Sequence, residues 1–322
     1  MRKVIAKAPG KCILFGEHFV VYGTPAIAAA ISNYSKCTIE EIVSGIQLKL
    51  NNYNKLYEFQ SFNEIVKENF PEFEEIIECF RIFKERHGIN FENIKITINS
   101  SLFMGSGLGS SASMAVSLVA AINSYYDINL DRSQISDIAL EMEKIIHGTP
   151  SGIDNTTCTF GNVLFYQKGE HRFLTVPSEL PLLVTNTNIE RKTKEAIELV
   201  RKYTIENAES SRGLFRIFNM MISNIEEALV HLELQRIGGF MSDNQELLVN
   251  FGVSNDVINE ITQIALKNGA FGSKLTGAGL GGCVISIGTQ ETLQKISEIL
   301  KSKGYPSFIA NIDNEGVKVE TE

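Results

Sequence analysis

The chain has 322 residues, an apolar fraction of 43% and a formal net charge of −8. That length exceeds the usual single-domain size, so two domains with sizeable cores are expected. The acidic balance argues against nucleic acid or an anionic membrane as partner, and leaves any anionic substrate to a few placed cations and backbone amides.

Taken in order, residues 4–8 read as a strand that Pro9-Gly10 turns into a second stretch at 11–15. Gly16-Glu17-His18-Phe19-Val20-Val21-Tyr22-Gly23 sets a polar pair among apolar residues, bracketed by glycines, and residues 26–31 are small and apolar. Strands are expected at 37–42 and 46–50, joined as a hairpin through Ser44-Gly45. Residues 62–87 form a helical region interrupted at Pro71 and ending at Gly88, a surface-covering pair with no chemistry of its own. Residues 94–98 alternate apolar and polar, as a half-buried strand does. They lead into Gly105-Ser106-Gly107-Leu108-Gly109-Ser110-Ser111-Ala112, and residues 114–122 follow as a buried helix. Strand, glycine loop and helix in that order make an anion site. The glycines let backbone N–H groups turn inward, and the helix N-terminus adds partial positive charge. Ser110 and Ser111 fall at the helix start, where hydroxyls cap the helix or reach a phosphate or metal.

Asp131 is expected to cap a helix with Ile135, Ile138, Ala139, Met142, Ile145 and Ile146 on one face. Glu143 lies at the edge of this stripe, half buried, and needs a cation or a metal ion as partner. The helix runs into His147-Gly148-Thr149-Pro150-Ser151-Gly152-Ile153-Asp154-Asn155. Residues 163–166 read as a strand. The domain boundary is expected between Pro177 and Pro181, dividing the chain into 1–177 and 178–322. A strand at 182–185 then leads to Asn186-Thr187-Asn188-Ile189-Glu190-Arg191-Lys192-Thr193, followed by helical regions at 194–203 and 206–238 and little pattern at 246–249. Ser254 is expected to cap a helix that stops at Asn268-Gly269. Next come a second glycine loop in 274–282, a strand at 283–287, a helix at 291–301 and a closing strand at 305–310. Cys12, Cys37, Cys79, Cys158 and Cys283 show no ligand spacing, which points to reduced thiols in a cytosolic protein. No apolar run approaches a membrane span, and Pro9-Gly10 interrupts any signal-peptide core, so a soluble cytoplasmic protein is expected.

Gly277-Ala278-Gly279-Leu280-Gly281-Gly282 satisfies the GxGxxG pattern, but a dinucleotide site needs a strand before the loop and a helix after it. Here a helix precedes closely and a β-branched strand follows, which rejects that reading, and no Walker A pattern is present. Two glycine loops in one chain suggest a polyphosphate held between two domains. Phosphoryl transfer wants a phosphate cradle, a magnesium ion with carboxylate and hydroxyl ligands, and a group that orients or deprotonates the acceptor hydroxyl. Glu143 and Ser111 are candidate metal ligands, Asp154 the candidate base and Lys11 the candidate cation over the reacting centre. Each has a plainer alternative: Lys11 as a solvated charge, Asp154 as a turn residue, Glu17 and His18 as a hydrogen-bonded pair, His147 as a helix-end residue.

Segments 9–23, 105–112 and 274–283, in that order, resemble the signature segments of the galactokinase, homoserine kinase, mevalonate kinase and phosphomevalonate kinase superfamily. Within it, Ala8-Pro9-Gly10-Lys11 with residues 16–23, and residues 147–155, are similar to the mevalonate kinase family. The Glu-His-Thr-Asp-Tyr box of galactokinases is missing. The resemblance implies an α+β fold, with an N-terminal domain like the second domain of ribosomal protein S5 and a ferredoxin-like C-terminal domain. It implies ATP-dependent phosphorylation of (R)-mevalonate to 5-phosphomevalonate, a step toward isoprenoid precursors, and a family tendency toward homodimers. By the same resemblance, Ser111 and Glu143 bind Mg2+, with Ser110 close to the phosphates. Asp154 takes the proton of the primary hydroxyl, with Lys11 beside it countering charge. Glu17, His18 and Thr193 hold or orient mevalonate. Gly105, Ser106, Gly107, Leu108, Gly109, Ser110, Ser111 and Ala112 wrap ATP, while Gly277, Ala278 and Gly279 close over the phosphates from the second domain. Phe103, Leu280, Asn188 and Glu190 depart from common family residues. A kinase for another small alcohol, a mevalonate-type decarboxylase and a catalytically silent ligand sensor are the competing readings.

Overall fold

The N-terminal half is laid down on two long antiparallel strands, β1 (Lys3–Phe15) and β2 (Ala26–Glu41), whose buried faces are rich in Ala and Ile. The computed structural model describes residues 2–67, 74–147 and 150–322. The interruption expected at Pro71 and the Gly148-Thr149 part of the turn lie outside them, as do the side chains of Ile146 and His147. After β2 come β3 (Ile46–Leu50), β4 (Lys55–Phe59), α1 (Phe62–Lys67), α2 (Glu74–His87), β5 (Ile94–Ser100), α3 (Ser110–Tyr125), α4 (Arg132–His147), α5 (Ile153–Phe160), β6 (Val163–Gln167) and β7 (Glu170–Leu174). The C-terminal half contributes β8 (Leu182–Asn186), α6 (Thr193–Glu206), α7 (Ala208–Val230), α8 (Leu234–Asn250), α9 (Asp256–Lys267), β9 (Gly272–Thr276), β10 (Cys283–Ile287), α10 (Gln290–Ser302), β11 (Ser307–Ala310) and β12 (Lys318–Thr321).

Among the described residues the first sheet runs β12-β1-β2-β5-β3-β4, with β6 and β7 continuing from the other stretch of β2. Three expectations are corrected here. Pro9-Gly10 is a bulge within one continuous strand, marked by a register shift between the two residues. A proline that cannot donate and a glycine that lets Leu102 approach are both tolerated at such a bulge. The hairpin expected between residues 37–42 and 46–50 does not form: β5 lies between these strands, parallel to β3 and antiparallel to β2. Its Ile94, Ile96 and Ile98 bury a full strand face, whereas β3 finds its antiparallel partner in β4, a strand without a sequence signal. The final strand, β12, returns to pair with β1, so residues at the far end of the chain complete the N-terminal sheet.

The second sheet runs β11-β8-β10-β9, with all its neighbours antiparallel. Numbered within this half, that order is 4-1-3-2, with helices after the first and third strands and a hairpin between the second and third. This is the ferredoxin-like arrangement, and the fold is α+β as expected. The helical region expected at 206–238 is two helices, broken where Leu232 takes a left-handed φ of 53°, and residues 246–249 belong to α8. The cap of α9 is Asn255, whose side chain accepts the Ile258 N–H at 2.9 Å, while Ser254 donates instead to Asn259. Ile145 is 47% exposed and falls off the α4 stripe. No helix of the described residues is long and apolar enough to cross a membrane.

The two halves share one apolar core, which runs from Cys12, Leu14, Phe15 and Phe19 of the first into Leu182, Val184 and Phe218 of the second. Phe19 stacks on Phe218 with ring centroids 4.4 Å apart. Within the second half, α8 meets β9 at backbone contact: a Cβ on Gly238 would lie 2.4 Å from the Phe271 carbonyl carbon. Gly238→Ala is therefore expected to lower unfolding stability by about 1–3 kcal/mol, the usual cost of forcing extra carbon into a filled interior. A urea titration checks this, and an unchanged midpoint would show that α8 can slide off β9 at no cost.

Candidate active site

The site grows from the bulge in β1. With the strand offset at Pro9 and Gly10, the Lys11 N–H donates to Leu108 O at 2.9 Å and pins the first glycine loop against the strand. Gly109 ends this loop as the N-cap of α3 with φ 66°, and a Cβ there would meet Lys11 Cγ at 2.8 Å. Only glycine suits that combination of backbone and crowding. Leu108 and Ala112 are buried and hold the loop down, and Ser106 Oγ donates back to Phe103 O at 2.6 Å. Ser110 and Ser111 open the first turn of α3.

Beside this turn lies a cavity of about 300 Å³. Leu50, Ile76 and Ile98 line it with apolar surface, whereas Ser111, Glu143 and Asp154 give it an acidic wall. The expected neighbourhood of Lys11 and Asp154 is found: Lys11 is 4% exposed, and its Nζ lies 3.1 Å from Asp154 Oδ1. Asp154 reaches this place on α5, a helix that was not expected. Gly152, with φ 79°, starts that helix, so Asp154 falls in its first turn, where helix polarity favours a carboxylate. Its side chain keeps 27% exposure, enough to meet a ligand.

Glu143 comes from α4 and faces Asp154. Burial first, and then the Asp154 carboxylate, push its carboxyl up to about 7, against the opposing pull of Lys11; Glu75 adds to the rise and Arg191 opposes it. Its Oε2 is buried with no hydrogen-bond partner. A buried, unpaired carboxylate oxygen beside a second carboxylate and a hydroxyl is a hard oxygen set suited to a divalent cation. Among the described residues no cluster of three or more His, Cys, Asp or Glu side chains forms a metal cage. Magnesium fits such a sparse set, because it takes one or two carboxylates and completes its shell with phosphate and water.

Glu17 and His18 stand elsewhere. Glu17 is fully buried in an ion pair with Lys274, whose Nζ also donates to Leu275 O at 2.7 Å. Burial raises the Glu17 carboxyl and lowers the Lys274 ammonium, and each partner's charge opposes the shift of the other. Glu17 thus spends Oε1 on Lys274, while its Oε2 is buried without a hydrogen-bond partner. His18 Nε2–H donates to Ala278 O at 2.7 Å, and burial lowers its ring's proton affinity, so the imidazole is neutral. Glu17 thus holds β9, and His18 holds the loop that follows it. Gly277, Ala278 and Gly279 begin that loop outside the cavity wall, directly after β9. A strand therefore precedes the GxGxxG segment after all. A second strand and no helix follows it, so it still lacks the dinucleotide arrangement. Thr193 is the first residue of α6 and does not line the cavity.

Two charged residues that line the cavity were given no place in the site from the sequence. Arg191, one residue among several cations near the end of β8, reaches the cavity beside Gly107. Glu75 comes from the helix pair read as mere cover. It is 5% exposed and accepts a hydrogen bond from Ser111 Oγ at 2.5 Å. A signal was available: Glu75 shares helical spacing with Cys79, Ile82 and Phe83, the buried face of α2.

The family described as GHMP kinases N terminal domain matches residues 74–162, and GHMP kinases C terminal matches residues 225–306. The mevalonate kinase of Pyrococcus furiosus is 32% identical, over 99% of this chain and 98% of its own length. That of Aeropyrum pernix is also 32% identical, over 99% of both. A crystal structure of mevalonate kinase superimposes with a TM-score of 0.87 at 30% identity, covering 97% of this chain and 99% of that one. The L. major mevalonate kinase in complex with R-mevalonate gives 0.83 at 28% identity, covering 96% and 95%. With full-length relatives at 32% identity and both family domains matched, the chain belongs to the GHMP kinase family, among the mevalonate kinases.

Proposed function

We propose that this protein transfers the γ-phosphoryl group of ATP to the primary hydroxyl of (R)-mevalonate, giving 5-phosphomevalonate and ADP. The observation that carries the reading is the Lys11–Asp154 pair, set at the acidic end of a cavity whose other surfaces suit a nucleotide. A relative of the same fold, the L. major enzyme, was solved with R-mevalonate, which supports this acceptor.

In this reading the first glycine loop and the start of α3 receive the phosphates through backbone N–H groups, and Leu50, Ile76 and Ile98 cover the apolar base. Asp154 accepts the proton of the acceptor hydroxyl as its oxygen bonds to the γ-phosphorus, while the bond to the β–γ bridging oxygen breaks and ADP leaves. Lys11 balances the charge gathering between Asp154 and the transferred group, and Arg191 adds a second cation across the cavity. Ser111 and Glu143 would hold magnesium, which neutralises phosphate charge when bound. Ser110 lies close to the phosphates. By the family resemblance Glu17, His18 and Thr193 are assigned to holding or orienting mevalonate, while Glu17 also fixes Lys274 of β9 and His18 the Ala278 carbonyl of the second loop. The border at 177/178 divides the nucleotide-bearing half from the ferredoxin-like half, apart from the returning β12. A homodimer and a cytoplasmic setting belong to the same proposal through the family resemblance.

A coupled assay of ADP release against a panel of small alcohols, mevalonate and 5-phosphomevalonate tests the substrate class. Mevalonate is expected to be preferred, and turnover confined to another alcohol would replace it. Asp154→Asn is expected to fold and bind ATP but lose about a hundredfold to ten-thousandfold in kcat, as loss of a general base does. Near-wild-type turnover would return Asp154 to the status of a helix-start residue. Glu143→Gln is expected to raise the magnesium concentration needed for half-maximal rate, with partial recovery in excess magnesium, because a neutral amide is a poorer ligand for a hard cation. An unchanged magnesium requirement would place the metal away from α4.

A further inference from the structure

One buried acid at the cavity has no part in the chemistry above. Glu75 enters from α2, on the apolar face that also carries Ile76, Cys79 and Phe80. A carboxylate in such a wall is costly unless it is hydrogen-bonded. Its Oε1 accepts the Ser111 hydroxyl across the packed α2–α3 pair, and both residues line the cavity.

A serine hydroxyl carries one hydrogen and two lone pairs. Left alone at the start of a helix, it rotates and donates to whatever acceptor is near, including a backbone carbonyl one turn back or a phosphate oxygen. A ligand for a hard cation must present a lone pair with its hydrogen turned away. At Ser111 the hydrogen is committed to Glu75, so the oxygen faces the rest of the cavity as an acceptor. Glu143 Oε2, unpartnered, belongs to the same acidic wall.

We propose that Glu75 is a positioning residue: by taking the Ser111 hydrogen it fixes Ser111 Oγ as an acceptor toward the magnesium–triphosphate group. This rests on the reading of Ser111 as a magnesium ligand. Outer partners of metal ligands act in this way elsewhere, setting the orientation of the ligand without touching the metal.

Calorimetric binding to the full chain tests it, using a β,γ-imido ATP analogue, once with magnesium and once in EDTA. Glu75→Leu removes the acceptor in an apolar wall, and Glu75→Met serves the same purpose where Leu disturbs α2. Either is expected to weaken magnesium-dependent binding by about tenfold to a hundredfold, the range for a lost outer partner, with the EDTA measurement unchanged. Glu75→Gln keeps an acceptor oxygen and is expected to bind as the unaltered chain does. Glu75→Leu added to Ser111→Ala is expected to cost nothing beyond Ser111→Ala alone, since the two act as one unit. Equal losses with and without magnesium, a Gln variant as weak as Leu, or additive losses in the double variant would each overturn the proposal. If instead Ser111→Ala binds the magnesium complex normally, the metal assignment of Ser111 falls, and the proposal with it.

Discussion

A glutamate and a lysine, both fully enclosed, fasten the two halves of the molecule together. Glu17 follows β1 and Lys274 sits in β9, 257 residues away, and neither retains contact with water. Removing one partner of such a pair strands the other charge in the interior, typically at a cost of about 3–5 kcal/mol. Around it run two further cross-links. Thr276 Oγ1 accepts the Ile13 N–H at 2.9 Å and donates to Ile13 O at 3.0 Å, and His18 donates to Ala278 O. All three join the β1 segment to β9 and its loop. Lys11 lies on that same strand, two residues before Ile13. The geometry at Asp154 therefore depends on how the C-terminal half is seated, and any motion of the second glycine loop is referred to the strand that carries Lys11.

The cavity itself solves a charge problem. The protein is acidic overall, and three carboxylates, Glu75, Glu143 and Asp154, line the cavity. Their neutralisation is distributed. Lys11 serves Asp154, the Ser111 hydroxyl serves Glu75, and Glu143 is left raised toward neutral pH with one oxygen unsatisfied. An arrangement so short of positive charge favours a ligand that arrives with a divalent cation, and a polyphosphate brings one.

Local features were readable in the sequence, and non-local ones were not. The first glycine loop, the α3 start and the Asp154 turn could be placed because glycine spacing and helix polarity act over a few residues. β5 could be seen as a strand, but nothing in residues 46–50 says that they lie parallel to residues 94–98, with β5 interposed between them and β2. That pairing joins two segments separated in the chain by β4, α1 and α2. β12 was missed because its four residues, Lys-Val-Glu-Thr, are mostly exposed and carry little apolar pattern. The motif residues Glu17 and His18 were recognisable, yet their partners on β9 and the second loop lay 257 and 260 residues away. Hence the clasp that these two residues form with the C-terminal half went unread. Glu75 was lost for a different reason: a helix charged on one side was read as cover, although one of its acids lies on the buried side.

Phosphorus NMR of the product formed from ATP and (R)-mevalonate bears most directly on the chemistry assigned to Lys11 and Asp154. A single phosphomonoester coupled to the methylene protons of C5, appearing with stoichiometric ADP, is the predicted result. Phosphate on the tertiary 3-hydroxyl, or ADP formed with inorganic phosphate and no ester, would contradict it. Either result would remove Asp154 from its place beside the primary hydroxyl.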